Sequence, residues 1–144
     1  MRLRNLFLAT ALATGALATT ASAAGVTPHS FSKGYQSGPH SISQGGNWEI
    51  VDTDGDTVTL DFRCAINGGT GAAAVGLNEC YLAGEDGVTF YRPGMLFSVT
   101  GPTWAEGGVG TNAPRQRYRL CVRSSVLFRD GTSAGLPLDC SPLQ

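Results

Sequence analysis

The sequence predicts an all-β domain, a small antiparallel sandwich clamped by two disulfides. Three observations predict it. Short segments of alternating apolar and polar residues recur at a spacing of roughly 8–12 residues, with Gly-bearing turns between them. No stretch of adequate length beyond the leader carries a helical period. Four Cys, at positions 64, 80, 121 and 140, all fall in the part of this 144-residue chain beyond the leader, and an even count in a small exported domain implies two bridges.

Residues 1–23 read as a signal peptide. Arg2 and Arg4 supply a positive start, residues 6–18 an apolar stretch, and Ala21-Ser22-Ala23 a small-x-small cleavage site. The stretch is shorter than the roughly 20 apolar residues that span a bilayer. With no Cys at the cleavage site, no apolar tail and no later apolar run of spanning length, release to the outside with no membrane contact after cleavage is the expected outcome.

Residues 24–47 are rich in Gly, Ser, Pro and Gln, with isolated apolar residues, and predict a flexible N-terminal arm. The domain proper is expected over residues 48–144. Residues 48–51 form a first strand. Residues 57–64 alternate, with Val58, Leu60, Phe62 and Cys64 on one face. Asp52, Asp54, Gly55 and Asp56 lie in the turn between these strands. Residues 66–76 read as a loop and 77–82 as a third strand. Residues 88–91 and 95–99 are strands on either side of a turn at Pro93-Gly94. Residues 101–114 read as a long Gly-rich loop carrying Trp104. Residues 116–124 alternate again, with Tyr118, Leu120, Val122 and Ser124 on one face and Arg117, Arg119, Cys121 and Arg123 on the other. Asp130-Gly131 turns the chain into a closing strand at 136–140.

Composition narrows the function. All eleven acids lie beyond residue 24, whereas Arg2 and Arg4 belong to the leader, so eight basic side chains face eleven acidic ones in the mature chain. That mild acidity argues against nucleic acid as a partner. The near-exclusive use of Arg over Lys is similar to proteins of GC-rich bacteria. Four Cys allow three pairings; the local pairs Cys64–Cys80 and Cys121–Cys140 are favoured because each closes a short loop through Gly-rich sequence. No Cys-x-x-Cys occurs and neither His29 nor His40 lies near a Cys, so the cysteines fit bridges better than a metal site.

The run Tyr118-Arg119-Leu120-Cys121-Val122-Arg123-Ser124, followed by Asp130-Gly131-Thr132-Ser133, resembles the penultimate strand and following turn of fibronectin type III and related immunoglobulin-like sandwiches. The resemblance covers residues 118–133. It implies an immunoglobulin-like antiparallel sandwich in which Tyr118 anchors a corner between the sheets. The Cys–Trp–Cys arrangement of antibody domains is not reproduced, and the resemblance carries no function.

Three features are candidate sites. Asp52, Asp54 and Asp56 resemble the start of a calcium loop, but Thr57 stands where the loop needs Gly and Arg63 where it needs a bidentate Glu. A solvated hairpin turn accounts for them as well. Arg117, Arg119 and Arg123 form a row of guanidiniums suited to anions, or else a charged guard on an edge strand. Trp104 in its loop suits a sugar ring or a protein pocket, or else plugs the end of the sandwich. No nucleophile elbow, phosphate loop or placed carboxylate pair is present, and both His lie in the expected arm, so no enzyme chemistry and no cofactor is indicated. The expected function is secreted, non-catalytic recognition or structural support, binding an extracellular protein or polysaccharide through Trp104, Arg117, Arg119 and Arg123. The alternative is an inhibitor of a secreted hydrolase, presenting residues 101–115 to a protease cleft.

Overall fold

Two antiparallel sheets pack face to face in the computed structural model, which describes residues 28–91, 96–98 and 101–144. The strands are β1 (His29–Ser37), β2 (His40–Asp54), β3 (Thr57–Asn67), β4 (Ala72–Gly84), β5 (Thr89–Tyr91), β6 (Leu96–Ser98), β7 (Thr103–Pro114), β8 (Tyr118–Phe128), β9 (Ser133–Gly135) and β10 (Asp139–Cys140). Sheet A has the order β1-β2-β3-β7, and sheet B the order β10-β8-β4-β5, with β6 also on β4 and β9 also on β8. The expected signal peptide and the Pro93-Gly94 turn lie outside the described residues.

Alternation in β3 and β8 creates the core. Val58, Leu60, Phe62, Cys64 and Ile66 of β3 and Tyr118, Leu120, Val122, Val126 and Phe128 of β8 are all buried, whereas their odd-numbered neighbours Asp61, Arg63, Arg119 and Arg123 are exposed. Trp48 of β2 and Leu77 and Leu82 of β4 complete the contact between the layers. Cys64–Cys80 joins β3 to β4 and thus one sheet to the other; Cys121–Cys140 joins the registered neighbours β8 and β10 within sheet B. Both favoured pairings are therefore present. Tyr118 is fully buried, and its hydroxyl donates to the Pro114 carbonyl where the chain passes from β7 into β8. That bond ties the start of β8 to the end of β7.

Three stretches depart from expectation. Residues 29–47 are no flexible arm: β1 pairs along its whole length with β2, from His29 opposite Trp48 to Ser37 opposite His40. Its inward residues Phe31 and Tyr35 pack on the core, while small residues such as Ser30, Ser32 and Gly34 face out and dilute the pattern. The loop expected over residues 66–76 shrinks to four residues between β3 and β4, because Ala72, Ala74 and Val75 are buried strand positions. The long loop expected over residues 101–114 is β7, hydrogen-bonded to β3 from Thr103 opposite Asn67 to Pro114 opposite Thr57. Its glycines serve contact: a Cβ at Gly108 would sit 2.5 Å from the Phe62 ring.

A polar seam locks the open side of the sandwich. Gln44 and Ser124 are fully buried and Asp139 nearly so. Ser124 Oγ donates to Gln44 Oε1 at 2.6 Å, and Gln44 Nε2 donates to Asp139 Oδ2 at 2.7 Å and to the Pro137 carbonyl at 2.8 Å. Tyr35 OH donates to Asp139 Oδ2, and Lys33 Nζ donates to Oδ1 at 3.1 Å. The seam ties β1 and β2 of sheet A to β8 and β10 of sheet B. Because its buried polar groups find partners, it costs little to bury. Burial pushes the Asp139 carboxyl up, but the bonds from Tyr35, Gln44 and Lys33 outweigh it and hold the group below its ordinary value.

Gly46 marks a close approach between β2 and both β3 and β8. A Cβ there would lie 2.1 Å from the Arg63 carbonyl oxygen and 2.6 Å from Leu120 Cδ2. Neither backbone nor fully buried Leu120 has room to yield. Gly46→Ala is expected to lower stability by about 3 kcal/mol through overpacking. Urea denaturation checks this; an unchanged midpoint contradicts the close approach.

Candidate functional site

Side-chain alternation sends every second residue of β4, β5 and β8 to the outer face of sheet B. Register aligns Cys140, Cys121, Tyr81 and Tyr91 in one row across β10, β8, β4 and β5. Tyr81 must face outward because its neighbours Cys80 and Leu82 face the core. The Tyr81 and Tyr91 rings lie 4.9 Å apart between centroids at an interplanar angle of 38°, and Tyr91 is 64% exposed. Cys121 in this row is fully buried, and the two rings make the aromatic patch of the face.

Arginines flank the patch. Arg119 and Arg123 stand two residues either side of Cys121, diagonal to Tyr81 on the neighbouring strand, a placement that brings long side chains within reach of the ring. Small residues, Ala83 and Thr89, share the row with Arg119. On the other side a bulge in β4 sets Asn78 and Glu79 against Arg123 alone, and Arg123 Nη2 donates to Glu79 Oε1 at 2.7 Å. Farther along, Arg117 holds Glu85 at two points, Nη2 to Oε1 at 2.5 Å and Nε to Oε2 at 3.2 Å. The Arg117 guanidinium lowers the Glu85 carboxyl below its ordinary value and is itself raised by that carboxylate. Burial raises the Tyr81 hydroxyl, Tyr91 and Glu79 add to the rise, and Arg119 and Arg123 oppose it. Among the described residues Arg119 forms no ion pair.

β8 is an interior strand, bonded to β4 on one side and to β9 and β10 on the other. Its arginines therefore guard no edge. Nor do the exposed Arg117–Glu85 and Arg123–Glu79 pairs hold the fold, since such pairs contribute about 0–1 kcal/mol.

The other predicted site residues lie elsewhere. Trp104 is on β7 of sheet A, opposite Ile66, half-buried and packed against the core. It is neither in a loop nor beside the arginine row. Arg115, which was to be presented to a protease, follows β7 directly, and its backbone N–H donates to the Asp56 carbonyl. Asp52, Asp54 and Asp56 are exposed at the β2–β3 hairpin, with Gly55 at φ 58°. Among the described residues no group of three His, Cys, Asp or Glu is placed to hold a metal ion.

Two further constellations lie away from the arginine face. His40 Nε2 lies 2.7 Å from Asp130 Oδ2 and its ring stacks on Phe128 at 3.8 Å. Thr132 and then His40 bring the Asp130 carboxyl down to about 2. The adjacent Ser41 hydroxyl is donated to Gln36, so the pair has a structural reading. On the outer face of sheet A a trough of about 490 Å³ runs over a floor that includes Gly45, Ala65 and Ala105, with Ser32 beside it. Asn47, Asn67, Phe31 and Trp104 also line it.

Sequence reasoning missed Tyr81 and Tyr91. The parity of residues 80–82 held the signal, because a core-facing Cys80 requires an outward Tyr81. No protein-family model matches this chain, and no curated protein matches it.

Proposed function

We propose that this protein is an exported, non-catalytic recognition domain that binds an extracellular protein or polysaccharide through the outer face of sheet B. The observation that carries the reading is the Tyr81–Tyr91 pair, set in line with a disulfide on one rigid sheet and flanked by Arg119 and Arg123. Tyr and Arg concentrate binding energy where they are displayed on a surface held rigid beforehand. Two formed disulfides suit an oxidising compartment, and the start of the sequence reads as an export signal.

The architecture supports an immunoglobulin-like sandwich. β2, β3 and β7 correspond in order and pairing to the strands of one sheet of that fold, and β4, β8 and β10 to those of the other. The Tyr118 corner adds to this. The inter-sheet bridge leaves β3 for β4, rather than for the strand occupied by β8.

The test is retention on immobilised extracellular polysaccharides and cell-wall preparations. Native protein is expected to be retained and Tyr91→Ala to be lost, with melting temperatures that agree within about 2 °C because Tyr91 is exposed. Equal retention of the two proteins removes the sheet B face from the account.

A further inference from the structure

The chemistry of that face specifies a ligand more closely, and the inference rests on sheet B being the working surface. We propose that the face beside Arg119 binds a uronate residue of an acidic polysaccharide, its ring on Tyr91 and Tyr81 and its carboxylate on the Arg119 guanidinium.

Charge comes first. Among the described residues, Arg117 and Arg123 of this face are taken by Glu85 and Glu79, and Arg119 has no carboxylate partner. One uncompensated cation calls for one anionic group. The neighbouring pair shows the form of the grip: Arg117 meets the Glu85 carboxylate through two nitrogens at once. A ligand carboxylate offers Arg119 the same two-point geometry, which a guanidinium satisfies and an ammonium does not.

Shape comes second. Ala83, which is buried, and Thr89 share the row of Arg119, so only low side chains stand beside it there, and the rings occupy the next row. The resulting surface is an apolar aromatic platform with a cation along one edge. A pyranose with a carboxylate at its rim has the matching form: an apolar C–H face for the rings and an anion at the border. An acidic peptide brings carboxylates on flexible stems and no rigid apolar face, so it satisfies Arg119 and leaves the tyrosines unused.

The probes are polygalacturonate, its fully methyl-esterified form, and poly-glutamate, each immobilised and titrated with the full chain at low and high salt. Native protein is expected to bind polygalacturonate in preference to the other two and to release it as salt screens the contact. Arg119→Glu and Tyr91→Ala are each expected to weaken binding by about tenfold or more, as loss of one charge-assisted contact or one stacked ring implies. Arg119→Lys is expected to fall between native and Arg119→Glu, since it keeps the charge and loses the fork. Melting curves of all three variants verify the fold. Equal binding to the methyl ester overturns the carboxylate. Equal binding to poly-glutamate, indifferent to Tyr91→Ala, overturns the sugar and assigns an acidic protein surface to the same face. No retention on polygalacturonate, with Tyr91-dependent retention on another polysaccharide, overturns the uronate and leaves the face standing. Retention that none of the variants changes overturns the uronate and the face together.

Discussion

Replacing Cys64 and Cys80 together by Ala is expected to cost about 3 kcal/mol from loop entropy alone, for a bridge that closes a separation of 16 residues. Both residues are buried between the sheets, so the lost sulfurs add a packing term. In a domain of this size such a loss lowers the melting temperature by roughly 10–15 °C. The bridge across β8 and β10 closes a similar separation of 19 residues, but Cys140 is exposed and the two strands are already paired. Its removal is expected to cost less. Circular dichroism melts of the two double variants check the order. An equal or reversed order contradicts the role assigned to the inter-sheet staple, and an unchanged melt after full reduction contradicts stapling by either bridge.

Asp139→Ala is the second large effect. The substitution strips the acceptor from Tyr35 OH and Lys33 Nζ and one of two acceptors from the buried Gln44 amide. Stranded polar groups of this kind cost about 2–3 kcal/mol. The pH dependence has a definite sign. The folded-state carboxyl lies below its ordinary value, so its contribution is complete above the unfolded value of about 3.9 and is lost as pH falls through the lower folded value. The stability gap between native and Asp139→Ala is therefore expected to be wide at neutral pH and to narrow in acid below about pH 4. Urea denaturation across that range measures it. A gap independent of pH contradicts the charged seam.

Large inward side chains made part of this fold legible in the sequence. β3 and β8 announce themselves because Leu60, Phe62, Leu120 and Val122 alternate with polar residues, and short loops favour the two pairings that form among the three that four Cys allow. β7 is silent because its inward positions include Gly108 and Gly110, left bare for the Phe62 and Phe90 rings above them. β1 is silent because Lys33 occupies an inward position, a choice that makes sense only once Asp139 arrives from the far end of the chain. The arginine row was legible by parity. Its pairing with Glu79 was not, since it depends on the bulge at Asn78. Trp104 reads as a loop residue because the glycines of β7 hide the strand that carries it.

Which sheet meets the ligand is decided most directly by comparing two surface variants on the same immobilised polysaccharide. Tyr91→Ala combined with Arg119→Glu disables the patch on sheet B; Ala65→Lys blocks the trough on sheet A, where Ala65 faces outward between Gly45 and Ala105. The first protein is expected to wash through while the second is held like the native one. Loss of retention by the Ala65→Lys protein alone contradicts that expectation and moves recognition to the opposite side of the sandwich.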